Sequence, residues 1–273
     1  MMNRLLLTLF FLWATLASTL AIRIGLVTDV HYADKPSIGK RSYRDSLKKL
    51  DAAVAAFNEA KADFVVELGD FIDEAPTVEA EIGYTRAINA VFEKFRGPRH
   101  YVVGNHDAWS LTKPQFLEAC GAKAAHYSFD CGGFHFVVLD ACYSANGIAY
   151  GSKKVKWTDT EIPPFERDWL AADLKATDKK TVCFIHQKLD ATDRHCVKSA
   201  PDVRKILEES GKVLAVFQGH AHTNDLVVIN AIRYWTLSAM VQTPGAYSLL
   251  EIKPDNSLRL TGFRGHKSYN ATQ

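Results

Sequence analysis

The 273-residue chain is 47% hydrophobic and 23% charged, enough to bury the core of one large α/β domain or two small ones. A formal net charge of +2 argues against a nucleic-acid polymer or an anionic membrane surface as the partner. The five cysteines show no C-x-x-C spacing, which argues against a zinc ribbon or a thioredoxin-like site, and an odd number leaves at least one free if all pairing is internal.

Residues 1–21 read as a secretory signal peptide. Arg4 supplies the positive charge, Leu5 to Leu16 the apolar run, and Thr19 and Ala21 the small residues of a cleavage site. The apolar run is short for a membrane span, although an uncleaved anchor stays open as the alternative. The expectation is an exported protein, periplasmic or secreted, with no stable membrane span after processing and one domain over residues 22–273.

Ile22 to Thr28 reads as the first strand and ends at Asp29-Val30-His31, whose first and third residues point to one side of an extended backbone. Ser42 to Lys61 has helical spacing, with Leu47, Leu50, Ala53, Val54 and Phe57 as its apolar stripe. Phe64 to Leu68 is a second strand ending at Gly69-Asp70, so the three elements make a βαβ unit. Val78 to Phe95 is another amphipathic helix. Arg99 to Val103 is a third strand, stopping at Gly104-Asn105-His106-Asp107. Open α/β sheets bind ligands at this edge.

The second half reads as more antiparallel. Ala125 to Asp130 and Phe134 to Asp140 flank Cys131-Gly132-Gly133 as a hairpin, in which His126 and His135 are structural. Tyr143 to Pro164 lacks periodicity. Its Lys153, Lys154 and Lys156, with Tyr150 and Trp157, either cover an anionic, ring-bearing substrate or form a solvated surface loop. Phe165 to Ala176 is a helix, Thr181 to Ile185 a strand ending at His186, and Asp202 to Ser210 a short helix. Val213 to Phe217 is a strand ending at Gln218-Gly219-His220-Ala221-His222. Residues 226–232, 234–239, 246–252 and 258–263 read as strands of a closing sheet.

The strand ends together carry Asp29, His31, Asp70, Asn105, His186, His220 and His222. Such a mixed N/O set suits Mn, Fe or Zn rather than Ca²⁺ or a thiolate site. It also exceeds what one tetrahedral ion needs. Two ions sharing a carboxylate would use it all, leaving a bridging hydroxide as the nucleophile for an in-line displacement.

In order, D-x-H, G-D, G-N-H-D, a lone His and G-H-x-H resemble the calcineurin-like metallophosphoesterase family over roughly Ile22 to Ala239. The resemblance implies a four-layer α/β/β/α sandwich and two divalent or trivalent metal ions (Mn, Fe or Zn). It implies Asp29, His31 and His222 on one ion, Asn105, His186 and His220 on the other, Asp70 bridging, and His106 as the acid near the leaving group. Asp29 to Asp34, the Tyr43-to-Phe57 helix, Leu139-Asp140-Ala141 and Gly262 to Gly265 look similar to the manganese-dependent ADP-ribose/CDP-alcohol diphosphatases, which are related to the class III cyclic-nucleotide phosphodiesterases. The chain departs from that group at His31, where Gln is frequent, and at Gln187-Lys188. Asp73 stands where purple acid phosphatases carry a tyrosine ligand. The implied substrate is a small phosphorylated, nucleotide-like molecule cleaved at a phosphodiester or phosphoanhydride bond. An exported phosphomonoesterase of broad specificity and a non-catalytic metal-binding scaffold are the alternatives.

Overall fold

The computed structural model describes residues 21–151, 155–242 and 244–271. The expected signal peptide therefore lies outside the described residues except for Ala21, as do Lys153 and Lys154. Among the described residues, no helix is long and apolar enough to cross a membrane. All five cysteines are unpaired.

Two six-stranded sheets face each other. The first takes β1 (Ile22–Val27), β2 (Phe64–Glu67) and β3 (Arg99–Tyr101) from the N-terminal half. It takes β10 (Tyr247–Ile252), β11 (Leu258–Phe263) and β12 (Tyr269–Ala271) from the C-terminus, in the order β12-β11-β10-β1-β2-β3. The second contains β4 (Tyr127–Cys131), β5 (Phe134–Val138), β6 (Thr181–Phe184), β7 (Val213–Gln218), β8 (Asp225–Ile229) and β9 (Ile232–Thr236), in the order β4-β5-β6-β7-β9-β8.

Alternation along the strands builds the layers. Ile24, Leu26, Phe64 and Val66 face Phe136, Phe184, Phe217 and Trp235 between the sheets. The intervening Val27 and Val65 face outward onto α1 (Ser46–Glu59) and α2 (Val78–Phe92), where Leu50, Phe57, Ile88 and Phe92 are buried. On the other side Val137, Cys183 and Val216 meet Leu170 and Leu174 of α4 (Pro164–Ala176) and Val203 and Leu207 of α5 (Ala200–Ser210). The result is the expected α/β/β/α sandwich. Each fully buried Phe or Leu contributes roughly 1.5–3 kcal/mol of transfer free energy.

Two expectations are corrected. The second sheet is not mainly antiparallel: β5, β6, β7 and β9 run parallel, and only the edge pairs β4·β5 and β8·β9 are antiparallel. The C-terminal strands do not close one sheet either, because β8 and β9 join the second sheet while β10 to β12 return to the first. Local alternation says which residues face the core, not which strand lies alongside. Two elements had no counterpart in the sequence reading. One is β12. The other is α3 (Lys113–Cys120), opened by a capping box in which Gln115 Oε1 accepts the Thr112 N–H at 2.8 Å.

In each sheet the neighbouring parallel strands end at one rim. In the first, β1, β2 and β3 deliver residues 29, 31, 70 and 105. In the second, β6 and β7 deliver residues 186, 220 and 222.

Candidate metal centre

The loops at this rim are held in unusual backbone conformations. Asp29, His31, Asp70, His220 and His222 all have φ between 45° and 66°, the left-handed region that costs non-glycine residues about 1–3 kcal/mol each. Main-chain hydrogen bonds between loops hold three of these residues, Asp29, His31 and Asp70. Asp29 N–H donates to Gly69 O at 3.0 Å, His31 N–H to Asp70 O at 2.8 Å, and Val241 N–H to Asp29 O at 3.0 Å. Two glycines let the loops approach: a Cβ on Gly104 would overlap the main chain and carboxylate of Asp70, and one on Gly219 would overlap Thr28 Oγ1 and Asp29 Oδ2.

The side chains converge as two groups sharing one neighbourhood. Donor atoms of Asp29, His31 and His222 lie within 4.8 Å of one another, as do those of Asp70, His186 and His220. His222 Nε2 is 3.0 Å from Asp29 Oδ1 and 3.2 Å from His31 Nε2. Asp70 Oδ2 is 3.1 Å from His186 Nε2 and 3.6 Å from His31 Nε2, so it stands between the groups. Ligands about 2.0–2.2 Å from one ion sit about 3 Å apart. Asn105 Oδ1 and His220 Nε2 are buried with no hydrogen-bond partner among the described residues. Unpaired buried donors and acceptors are costly; a cation taking their lone pairs removes the cost. The donor set therefore fits metal ions of the Mn, Fe or Zn kind.

A second layer aims the ligand atoms. Asp29 Oδ2 accepts from Thr28 Oγ1 at 2.6 Å and from the His220 N–H at 3.1 Å, which turns Oδ1 inward. His186 Nδ1 donates to Leu68 O at 2.9 Å, leaving Nε2 as the free lone pair. The Gln242 amide meets His222 Nδ1 at 3.0 Å. Asp70 Oδ1 accepts from the His106 N–H at 2.8 Å.

Sequence reasoning missed two carboxylates. Asp107 is fully buried and accepts four main-chain N–H groups, from Gly104, Asp70, Phe71 and Ile72, at 2.8–3.1 Å. It ties the third strand's loop to the second's. Burial and the Asp70 carboxylate push its pKa up to about 7, against the four amides, which favour the anion. Asp73 lies 3.0 Å from His31 Nδ1, 3.7 Å from His106 Nδ1 and 2.6 Å from Lys35 Nζ. The signal for it was a third acid shortly after Gly69-Asp70, read above only as a missing tyrosine.

Electrostatics divides the histidines. Burial favours neutral His31, but Asp29, Asp73 and Asp70 override it and raise its pKa to about 9. Burial also opposes charge on His186, and Asp70 raises it to about 9. His220 is driven down to about 3 by burial and by His186. Asp29 resists burial and is held well below its ordinary value, with His222 the leading partner.

A cavity of 260 Å³ opens over the centre, lined by Asp70, Asn105, His106, His220 and His222. Its walls carry Arg41, Trp157, Arg194 and His195. His106 packs edge-on to His31 with ring centroids 4.6 Å apart, and donor atoms of His31, Asp70 and His106 also come within 4.8 Å of one another. His126 and His135 lie away from the centre, as expected. His135 bridges Asp130 and Asp173 at 2.8 Å each. Among the described residues of the Tyr143-to-Pro164 stretch, Trp157 alone lines the cavity. Tyr150 is buried, donating to Lys156 O and Asp159 O at 3.1 Å, and is therefore a tether rather than a substrate cover.

Residues 22–224 match the calcineurin-like phosphoesterase family. Two plant relatives bear the name manganese-dependent ADP-ribose/CDP-alcohol diphosphatase. The Arabidopsis thaliana protein is 32% identical over 87% of this chain and 93% of its own length. The protein from Oryza sativa subsp. japonica is 24% identical over 86% and 89%. A dimetal phosphatase from Danio rerio has the same fold, with a TM-score of 0.80 at 22% identity over 92% of this chain and 98% of that one. With its converging donor atoms, its fold and the family match over most of its length, the chain is a metal-dependent phosphohydrolase and belongs to the calcineurin-like phosphoesterase family.

Proposed function

We propose that the chain is a two-metal diphosphatase. It hydrolyses the phosphoanhydride bond of small nucleoside-diphosphate derivatives, the ADP-ribose and CDP-alcohol class for which the plant relatives are named. The observation that carries the reading is the charge of the cavity. Among the described residues Asp70 is its one lining carboxylate and faces the metal donors, while the guanidinium groups of Arg41 and Arg194 line the wall beyond them. Such a wall favours a ligand with more than one negative charge.

Asp29, His31 and His222 would hold one ion and Asn105, His186 and His220 the other, with Asp70 shared between the groups. When bound, the ions supply Lewis acidity toward a phosphoryl oxygen and activate water near neutral pH. The protein's own work is positional. Thr28 and the His220 amide orient Asp29, Leu68 O orients His186, and Asp73 braces His31 and faces His106. His106, at the cavity wall, delivers a proton to the departing oxygen. Manganese is the resident ion by analogy with the plant relatives' names, and the same donors accept iron or zinc. We also read the chain as exported, with a mature N-terminus near Ile22; N-terminal sequencing of protein from the native host that still finds Met1 rejects that part.

The test is a metal-stripped preparation reloaded with Mn²⁺, Fe²⁺ or Zn²⁺ and assayed on ADP-ribose, CDP-choline, cyclic AMP and p-nitrophenyl phosphate. The expected order places the two diphosphates first and Mn²⁺ as the best activator. Preference for the phosphomonoester with every metal overturns the reading.

A further inference from the structure

Two loops meet at the cavity mouth. One runs from β6 to α5 and carries Arg194. The other is the stretch before α4 and carries Trp157. The Arg194 guanidinium carbon lies 5.5 Å from the centre of the Trp157 ring. Trp157 in turn packs edge-on to His220, with ring centroids 5.3 Å apart and planes at 65°. The indole thus links the guanidinium to the metal-side wall.

Three cations around these loops already have carboxylate partners. Arg41 faces Asp73 at 3.6 Å, Lys188 faces Asp190 at 3.4 Å and Lys198 binds Asp159 at 2.5 Å. Asp193, beside Arg194, is turned to the His195 N–H at 2.8 Å. Among the described residues Arg194 makes no ion pair; it faces the Trp157 ring and lines the cavity. A guanidinium held within cation–π range of an aromatic ring and not engaged by a carboxylate keeps N–H donors for a two-pronged contact with a phosphoryl group.

We infer that Arg194, laid on Trp157, is a specificity-determining residue that grips the phosphoryl group not under attack, so that two linked phosphates are selected over one. This rests on the diphosphatase reading. A single phosphodiester seated at the metals has no second phosphoryl group to offer the guanidinium. A diphosphate has one, and the contact counts in binding more than in the chemical step.

The experiment uses the full chain loaded with Mn²⁺ and compares the parent with Arg194→Ala and Arg194→Lys. ADP-ribose offers two phosphates. Thymidine 5′-monophosphate p-nitrophenyl ester keeps a nucleoside but offers one. For Arg194→Ala, kcat/KM on ADP-ribose falls about tenfold or more, mostly through KM, and on the ester less than about threefold. Binding of α,β-methylene-ADP weakens in parallel. Arg194→Lys recovers part of the loss, because it keeps the charge and loses the fork. Equal losses on both substrates, no loss on ADP-ribose, or a fall in bound metal in Arg194→Ala each overturn the inference. A parent protein that cleaves the ester but neither ADP-ribose nor CDP-choline overturns the diphosphatase reading, and the inference with it.

Discussion

The two halves of the metal centre are built from different chemistry. Around His31 the structure gathers Asp29, Asp70 and Asp73, and the imidazole is pushed up to about 9. Around His220 it gathers the His186, Trp157 and His195 rings, and burial with the neighbouring His186 drives the imidazole down to about 3 even though Asp70 is close. Burial alone discharges a histidine; nearby carboxylates reverse the outcome. On the proposed ligand assignment, the first half would offer its ion a full carboxylate besides the shared Asp70, whereas the second would offer Asn105 and two imidazoles besides it. More anionic charge in the first half means tighter binding there, and the second ion should be the one that exchanges.

The strongest way to disturb this asymmetry is to remove what the halves share. Asp70→Asn should cost about 10³-fold or more in kcat on every substrate, and elemental analysis should find fewer than two ions per chain. Full activity with two ions retained would mean that the halves do not depend on Asp70.

His106 comes next. His106→Ala should keep both ions and lose about 10²–10⁴-fold on substrates with a ribosyl phosphate or alkoxide leaving group that needs a proton. The loss on p-nitrophenyl esters should be much smaller. A loss independent of leaving-group pKa would give the imidazole an electrostatic role instead, and falling metal content would make it a ligand.

Asp73 acts on one half only. It lies 3.0 Å from His31 Nδ1, so Asp73→Asn should weaken the tighter of two Mn²⁺ binding steps by about 10–100-fold and leave the other nearly as it was. Stepwise Mn²⁺ titration of the stripped protein reads this directly. Equal weakening of both steps would make the second layer common to the whole centre.

The smallest expected effect concerns a histidine whose ring nitrogens meet a hydroxyl and a carbonyl rather than a carboxylate. His266 is buried, its Nδ1 2.6 Å from Ser248 Oγ and its Nε2 2.6 Å from Ser238 O, and burial lowers its pKa to about 4. The unfolded chain, with an ordinary value near 6.5, takes up that proton first as pH falls. The stability is therefore complete above about pH 6.5 and lost between there and about pH 4, by at most about 3 kcal/mol. Denaturant unfolding across that window should show the slope, and His266→Gln should flatten it. An unchanged slope would assign the acid sensitivity to other groups.

Much of this was legible locally. Short apolar runs in Ile22 to Thr28, Phe64 to Leu68 and Val213 to Phe217 identify strands covered on both faces. The spacing of Leu50, Val54 and Phe57 identifies a helix for the same kind of reason. Asp29, His31, Asp70, Asn105, His186, His220 and His222 could be singled out because each follows such a run. Everything that depends on residues distant in sequence had to wait for the tertiary structure. Period-two patterning is the same for a parallel and an antiparallel neighbour, so the strand order and the return of β10 to β12 to the first sheet were hidden in it. The left-handed backbone at Asp29 and His31 is tied to hydrogen bonds between loops, not to their own preference. Asp73 and Asp107 look like ordinary turn carboxylates until the loops pack, and Arg194 meets Trp157 only because two unrelated connections end at one rim. Residue type and spacing determined which atoms could bind a metal; only the packing of two sheets decided that they share one place.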